Sequence, residues 1–162
     1  MQLIGGGTIL REVLAAAQIL ERDYGVLADV WSLTSANELQ REGQDVKRWN
    51  MLNPGAEQKV PYLTTLLADA QGPVIAATDY MKAYADQLRE FVPGRFMALG
   101  TDGFGRSDTR DKLRAFFEVS RGYVVLASLN ALVDEGKLDP KIATDAVEQL
   151  GLNPKKPNPL YV

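Results

Sequence analysis

The 162-residue sequence contains no histidine and no cysteine. Histidine is the usual general acid or base near neutral pH and the commonest metal ligand. Without these two residue types, the chain alone cannot form Ser-His-Asp or Cys-His catalytic sites, disulfides or nearly any zinc site. Carboxylates, lysine, tyrosine and arginine remain, so the composition disfavours catalysis without excluding it.

Strong charge and long apolar runs are also missing. The formal net charge is −3, which gives no electrostatic reason to expect nucleic acid or an anionic membrane as a partner. No apolar run approaches the roughly 20 residues that a membrane span needs. No basic segment followed by an apolar one marks a secretion signal at the amino end. We therefore expect a cytoplasmic protein and, from its length, a single domain over residues 1–162.

Four short apolar segments, residues 2–4, 30–34, 74–77 and 96–99, alternate with helical patterns. This alternation predicts an α/β fold with three layers, α/β/α, around a mainly parallel sheet of about four strands. The segment 123–133 is apolar nearly all round. Its helix is therefore either buried on several sides or turned by one half toward a partner.

Helix ends are marked by capping residues and glycines. Ser35 and Glu38 have the spacing of a capping box, Gly25 is placed to end the first helix, and Gly43 predicts a weak point in the second. A further helix is expected over residues 80–91. The remaining predicted N-caps are Thr8, Thr78 or Asp79, Ser107 or Asp108, and Asp139, which precedes Pro140.

The loop 101–107 is the strongest candidate for a functional site. It joins the strand 96–99 to a helix, and ligands of open α/β sheets usually bind at the carboxyl ends of strands. Two interpretations stay open: its polar residues only cap helices and form exposed ion pairs, each worth about 0.3–0.5 kcal/mol, or the loop forms the wall of a cleft or a subunit contact. We assign no catalytic, cofactor or metal role. The candidate residues for a cleft or interface are Asp102, Phe104, Arg106 and Ser107.

Three consecutive glycines, Gly5, Gly6 and Gly7, precede the first helix. Backbone N–H groups in such a turn can hold a phosphate. The segment lacks both the G-x-G-x-x-G fingerprint and the P-loop pattern, which favours a tight turn that binds nothing. An autonomous or regulatory domain that binds an anion or a nucleotide between this turn and the loop 101–107 remains the alternative function.

Three longer stretches are more specific than any of these motifs: SANELQREGQDVKRWNMLNP, ATDYMKAYADQLREFVP and LGTDGFGRSDTRDKLRAFFEV. They resemble the carboxy-terminal domain of the homodimeric bacterial pyruvate dehydrogenase E1 components, which belong to the transketolase superfamily. The resemblance runs from MQLIGGGTILREV to the NPLYV tail. It implies a C-terminal fragment of a larger E1 subunit with three α/β domains.

That resemblance also implies that catalysis and subunit contacts are carried by different domains of the enzyme. The full-length family enzyme is an oxidoreductase that decarboxylates pyruvate with thiamin diphosphate and Mg²⁺ and transfers the acetyl group to lipoyl groups of the E2 acyltransferase. The cofactor of the family lies between the first two domains, so this domain is expected to hold none, to be inactive alone and to support the dimer. The implied partners are the rest of the E1 subunit, the second E1 protomer and E2.

The family sheet has five strands, the first of them antiparallel, and this chain begins after that strand. The resemblance therefore implies four parallel strands in the spatial order 2-1-3-4. The second strand, around Trp31, is then an open edge, which is a surface available for pairing with another chain.

Overall fold

The computed structural model describes residues 1–162 and contains one sheet of four parallel strands. The strands are β1 (Gln2–Gly6), β2 (Asp29–Leu33), β3 (Val74–Ala77) and β4 (Phe96–Leu99), in the order β2-β1-β3-β4. Across the middle of the sheet, Ile4 of β1 pairs with Trp31 of β2 on one side and with Ala76 of β3 on the other. Ala76 in turn pairs with Ala98 of β4. The predicted strand number, direction and order are confirmed.

Seven α-helices cover the two faces of the sheet. They are α1 (Leu10–Tyr24), α2 (Ala36–Leu52), α3 (Tyr62–Leu66), α4 (Lys82–Asp86), α5 (Arg110–Phe116), α6 (Arg121–Asp134) and α7 (Pro140–Gln149). Short 3₁₀ turns at Gly7–Ile9, Arg89–Phe91 and Pro159–Tyr161 complete the secondary structure.

Two hydrophobic cores form because successive side chains of a strand point to opposite faces of the sheet. Leu3 and Ile75 contribute to a core shared with α1, α6 and α7, whereas Ile4, Val74 and Ala76 contribute to one shared with α2, α3 and α4. Each fully buried leucine, isoleucine or valine contributes roughly 1.5–3 kcal/mol. The expected three-layer α/β/α arrangement is confirmed.

The apolar segment around residues 123–133 is a buried helix. Eight residues of α6 are buried, among them Val124, Val125 and Leu129. By length and composition alone, the stretch Arg110–Asp134 is long and apolar enough to cross a membrane. Half of its most apolar part is, however, buried inside the fold. Glu118, with a positive φ of 62°, separates α5 from α6 inside this stretch. Of the two interpretations left open, burial on several sides is correct.

Several predicted helix ends are confirmed. The Ser35 hydroxyl accepts a hydrogen bond from the Glu38 N–H at 3.2 Å, and Gly25 ends α1 with a left-handed φ of 64°. The Asp139 carboxylate caps α7, whose first residue is Pro140. The sequence pattern was enough to predict these helix ends because each capping hydrogen bond joins residues no more than four positions apart.

Three other predicted helix ends are wrong, and contacts with distant residues explain the first two. Thr8 caps no helix; it lies in a 3₁₀ turn and its hydroxyl donates to Asp79. The helix expected over 80–91 is reduced to α4 and a 3₁₀ turn, because the Asp102 carboxylate accepts the Lys82 N–H at 2.9 Å and fixes a later start. The residue before α5 is Thr109, and neither Ser107 nor Asp108 caps that helix.

Gly43 does not weaken α2, which is continuous from Ala36 to Leu52. The glycine is buried, and a Cβ added there would lie 2.5 Å from the Phe91 ring. The lack of a side chain lets α2 approach the turn that holds Phe91. This glycine is therefore a packing residue.

The second strand forms an edge of the sheet, as expected from the resemblance. Trp31 is half-buried against the core on the α2 side. Its indole N–H donates to the Gln2 side-chain oxygen at 2.7 Å, and the Gln2 amide donates to Asp29 at 3.0 Å. This chain of side-chain hydrogen bonds ties β2 to β1 beyond the backbone ladder.

Candidate functional site

A cleft of about 340 Å³ opens at the carboxyl ends of β1, β3 and β4. The turn after β1, the residue Asp79 after β3, the loop 101–106 after β4, and α5 form its walls. Parallel strands bring these segments to one edge of the sheet although they are far apart in sequence. The structure therefore joins the glycine turn and the loop that the sequence singled out separately.

A carboxylate of the chain itself, that of Asp79, lies beside the glycine turn. Thr8 donates its hydroxyl proton to Asp79 Oδ2 at 3.0 Å. A Cβ on Gly7, whose φ is 57°, would lie 2.9 Å from Asp79 Oδ1. The Thr101 hydroxyl in turn donates to the Asp79 backbone oxygen at 2.7 Å. Asp79 thus holds the ends of β1, β3 and β4 together.

The opposite wall carries three arginines, Arg106, Arg110 and Arg114. The Arg106 guanidinium lies over the Phe116 ring, 4.3 Å from its centroid. Arg114 is largely buried and donates to the Glu12 carboxylate at 2.9 Å. The first two arginines, which are exposed, form no ion pair within the chain.

Glu12 lies behind this wall with 3% of its surface exposed. Burial opposes its negative charge, but the hydrogen bonds from the Arg121 side chain and backbone, with the charges of Arg121 and Arg114, outweigh that effect and hold the pKa of Glu12 below its ordinary value. The same carboxylate raises the pKa of Arg121. The cluster fixes Arg114 and the start of α6 relative to α1.

The four sequence-predicted residues have different environments. Arg106 lines the cleft. Asp102 lies beside it, bonded to the Lys82 N–H. Phe104 is 81% exposed, and Ser107 lines a neighbouring pocket that Arg106 also borders. The structure therefore places Arg106 in the cleft and Phe104 on the outer surface; a functional role for these residues stays a prediction.

Sequence reasoning did not single out Glu12, Asp79 or Arg114 as site residues. Glu12 lies on the same face of α1 as the buried Ile9, Val13 and Ala16. A charged residue within an apolar stripe is a detectable signal of a buried ion pair. Arg110 and Arg114 are four residues apart on α5, which places them on one helix face.

The carboxy-terminal tail packs against the loop 101–107. A Cβ on Gly103, whose φ is 100°, would lie 2.3 Å from the Pro159 backbone oxygen. Lys156 donates to the Phe116 backbone oxygen and, at 3.0 Å, to Glu118. The last ten residues therefore run from α7 across the α5–α6 junction to the cleft.

An exposed apolar surface, which we term the apolar rim, borders this edge. Its residues lie in the segment just before α4, in the loop 101–107 and in the carboxy-terminal tail. They are Tyr80, Met81, Phe104, Leu160 and Tyr161, exposed by 45% to 81%. Clustered apolar exposure of this kind marks a contact surface more often than a free one.

The family of the chain follows from its sequence. Residues 1–120 match the family model described as the transketolase-like TK C-terminal domain. The chain belongs to this family.

Individual relatives of this transketolase C-terminal-like domain are also similar over nearly its whole length. The Pyruvate dehydrogenase E1 component of Pseudomonas aeruginosa is 55% identical over 99% of this chain. Those of Cupriavidus necator and Escherichia coli are 52% and 50% identical over 100% and 98% of it. In each case the chain spans only 18% of the relative's length. The resemblance stated from the sequence is confirmed.

A solved structure shares the fold. A split-gene transketolase, described as an inactive beta4 tetramer, superposes with a TM-score of 0.55 over 82% of this chain and 39% of that chain. The sequence identity is 21%, so the likeness concerns the fold alone. It agrees with the transketolase C-terminal-like arrangement of sheet and helices described above.

Proposed function

We propose that the chain is the C-terminal domain of a pyruvate dehydrogenase E1 component and that it contributes structure and contact surface to that enzyme. The observation that carries this proposal is the identity of 50–55% to three E1 components over 98–100% of the chain. An identity this high over nearly every element favours the same place in the same kind of subunit.

The proposed full-length enzyme decarboxylates pyruvate with thiamin diphosphate and Mg²⁺ and transfers the acetyl group to lipoyl groups of E2 in the cytoplasm. The residues present here do not fit that cofactor. No group of three or more histidine, cysteine, aspartate or glutamate side chains could hold a metal ion. Asp79, the carboxylate that lines the cleft, is engaged with Thr8. We therefore derive no catalytic step within this chain.

The contact role is supported by the apolar rim. Phe104 and Tyr161 are 81% and 79% exposed, although aromatic side chains contribute strongly to interfaces when covered. The rim lies at the carboxyl edge of the sheet, next to the cleft. We infer that the rest of the E1 subunit, or the second protomer, covers this surface in the assembled enzyme.

A domain exchange tests the proposal. The corresponding domain of the Pseudomonas aeruginosa E1 component, which is 55% identical, is replaced by these 162 residues. We expect the chimera to form dimers and to retain pyruvate decarboxylation and acetyl transfer within about threefold, because the two domains share 55% of their residues over nearly the whole chain. The same enzyme without this domain should lose assembly or activity.

A folded, soluble chimera without either activity would contradict the proposal. Titration calorimetry of the 162-residue chain with thiamin diphosphate and Mg²⁺ tests the non-catalytic part separately. We expect no saturable heat. Saturable binding in the micromolar range would place cofactor-binding groups in this chain and contradict that part alone.

A further inference from the structure

We propose that the cleft beside α5 binds a small organic anion, carrying a phosphate or carboxylate group, through Arg106 and Arg110. This inference is independent of the proposed function, because it concerns a binding site complete within the chain. The glycine turn after β1 is not the anion site in this proposal. Unpaired positive charge, the position of Asp79 at the glycine turn and an apolar wall support this site.

Charge is the first argument. The chain has a net charge of −3, yet the cleft is lined by three arginines and one carboxylate. Glu12 neutralises Arg114 from behind. Arg106 and Arg110 have no carboxylate partner in the chain. Two unpaired guanidinium groups on one cleft wall favour a ligand that brings its own negative charge.

Nearby carboxylates do not supply that charge. Asp108 pairs with Lys112 at 3.7 Å, and Asp102 lies near Lys82 at 3.9 Å. Asp79 is bonded to Thr8. These three carboxylates thus have partners of their own, and neither Arg106 nor Arg110 forms an ion pair with any carboxylate of the chain.

The glycine turn after β1 is an unfavourable place for the anion. A phosphate held by backbone N–H groups would need the space in front of Gly7. The negatively charged Asp79 carboxylate lies beside that turn, with Oδ1 2.9 Å from the position of a Cβ on Gly7. The anion is therefore directed to the arginine side. The Asp79 carboxylate repels an anion from the turn, so we expect the anion to bind nearer to Arg106 and Arg110.

The apolar wall is the third argument. Four hydrophobic residues line the cleft: Ile9, Leu113, Phe117 and Val119. Its volume of about 340 Å³ lies at the small end of the range of roughly 300–1,000 Å³ for ligand sites. Hydrophobic lining beside two guanidinium groups suits a compact organic anion better than an inorganic ion.

Arg106 is held in position for this role. Its guanidinium stacks on Phe116 at 4.3 Å, and Lys156 lies 5.3 Å from the centroid of the same ring. Stacking on an aromatic ring restricts the long side chain while leaving the edge N–H groups free to donate. This restriction lowers the ordering cost of binding an anion at the cleft, which Arg106 also lines.

Backbone NMR titrations of the 162-residue chain at constant ionic strength test the site. The probes are inorganic phosphate, phenyl phosphate and benzoate. We expect saturable shifts confined to amides near Thr101–Arg106 and Arg110, and phenyl phosphate should bind about tenfold more tightly than inorganic phosphate because of the apolar wall. Comparison of phenyl phosphate with benzoate identifies which charged group is preferred.

Four variants complete the experiment. Arg106→Ala and Arg110→Ala should each raise the Kd of phenyl phosphate by about tenfold, the size expected for a lost charge-assisted hydrogen bond. Arg106→Lys should raise it less, because charge is kept and the planar fork is lost. The control is Arg48→Ala, an exposed arginine on α2, which should leave the Kd unchanged. Absence of saturable binding by all three probes, or equal weakening by Arg48→Ala, would overturn the proposal.

Discussion

The carboxylate of Glu12 accepts three hydrogen bonds from Arg121, one from its backbone N–H and two from its guanidinium, at 3.0 to 3.1 Å. The two residues are 109 positions apart in the sequence. Arg121 is the first residue of α6 and Glu12 lies in the first turn of α1. One side chain therefore fixes the relative position of two of the three helices that cover one face of the sheet.

Replacement of Glu12 by glutamine should destabilise the fold. The glutamine amide group would face the N–H groups of Arg121 and Arg114, and a donor opposite a donor forms no bond. We expect the free energy of unfolding to fall by about 2 kcal/mol, measured by urea denaturation. Glu21→Gln, an exposed position on the same helix, is the control and should change it by less than about 0.5 kcal/mol. Equal effects of the two substitutions would contradict the assignment.

The contribution of Glu12 should depend on pH. Its pKa is lowered in the folded state, so the unfolded chain takes up a proton first as the pH falls. The stabilisation is complete above the unfolded pKa of about 4.3 and is lost as the pH falls through the lower folded pKa. The difference in unfolding free energy between the wild type and Glu12→Gln should therefore be constant above about pH 5.5 and shrink below about pH 4.3. A difference that grows on acidification would show the opposite linkage.

Gly43→Ala should destabilise the protein although alanine favours helices. In an open helix the change gains about 1 kcal/mol, but here the new Cβ would lie 2.5 Å from the buried Phe91 ring. We expect a net loss of about 1–3 kcal/mol in thermal or urea unfolding. Gly55→Ala, which meets no atom within 4 Å, is the control.

A double variant identifies the contact. Phe91→Leu alone removes packing, but combined with Gly43→Ala it also removes the clash. The double variant should therefore be more stable than the sum of the two single losses predicts. Strict additivity would mean that the two residues do not interact.

Gly103→Ala should release the carboxy-terminal tail. Its φ of 100° is unfavourable for alanine, and the Cβ would lie 2.3 Å from the Pro159 backbone oxygen. We expect faster hydrogen exchange at the Tyr161 and Leu160 amides, which donate to Asn158 in the folded tail. Gly105→Ala, with open space at its Cβ, should leave that exchange unchanged. Unaltered protection in Gly103→Ala would show that the tail does not depend on this contact.

Much of the fold could be predicted from local patterns. The strands Val74–Ala77 and Phe96–Leu99 have the predicted bounds, because a buried parallel strand is a short apolar run between turn residues. Ser35 and Asp139 cap the helices as expected, since each bonds an N–H two or three residues away. The resemblance to a known family supplied the strand order, which short-range patterns do not specify.

Two wrong helix ends and the unplaced cleft share one physical cause, which is contact between residues distant in sequence. Threonine is a residue type typical of N-caps, but the Thr8 hydroxyl donates to Asp79, 71 residues away. Asp102 bonds the start of α4 from 20 residues away. The cleft itself is assembled from four separate segments, so its arginines could be suspected from the sequence but not placed opposite the glycine turn.

The route of the tail has a practical consequence for handling the protein. Pro159 is buried against the loop, whereas Val162 is half-accessible only a few residues later. A fluorophore attached at that carboxyl end would lie three residues beyond the contact between Pro159 and Gly103, a residue that also lines the cleft. A bulky purification handle at the same end would instead burden the segment that packs against the loop 101–107.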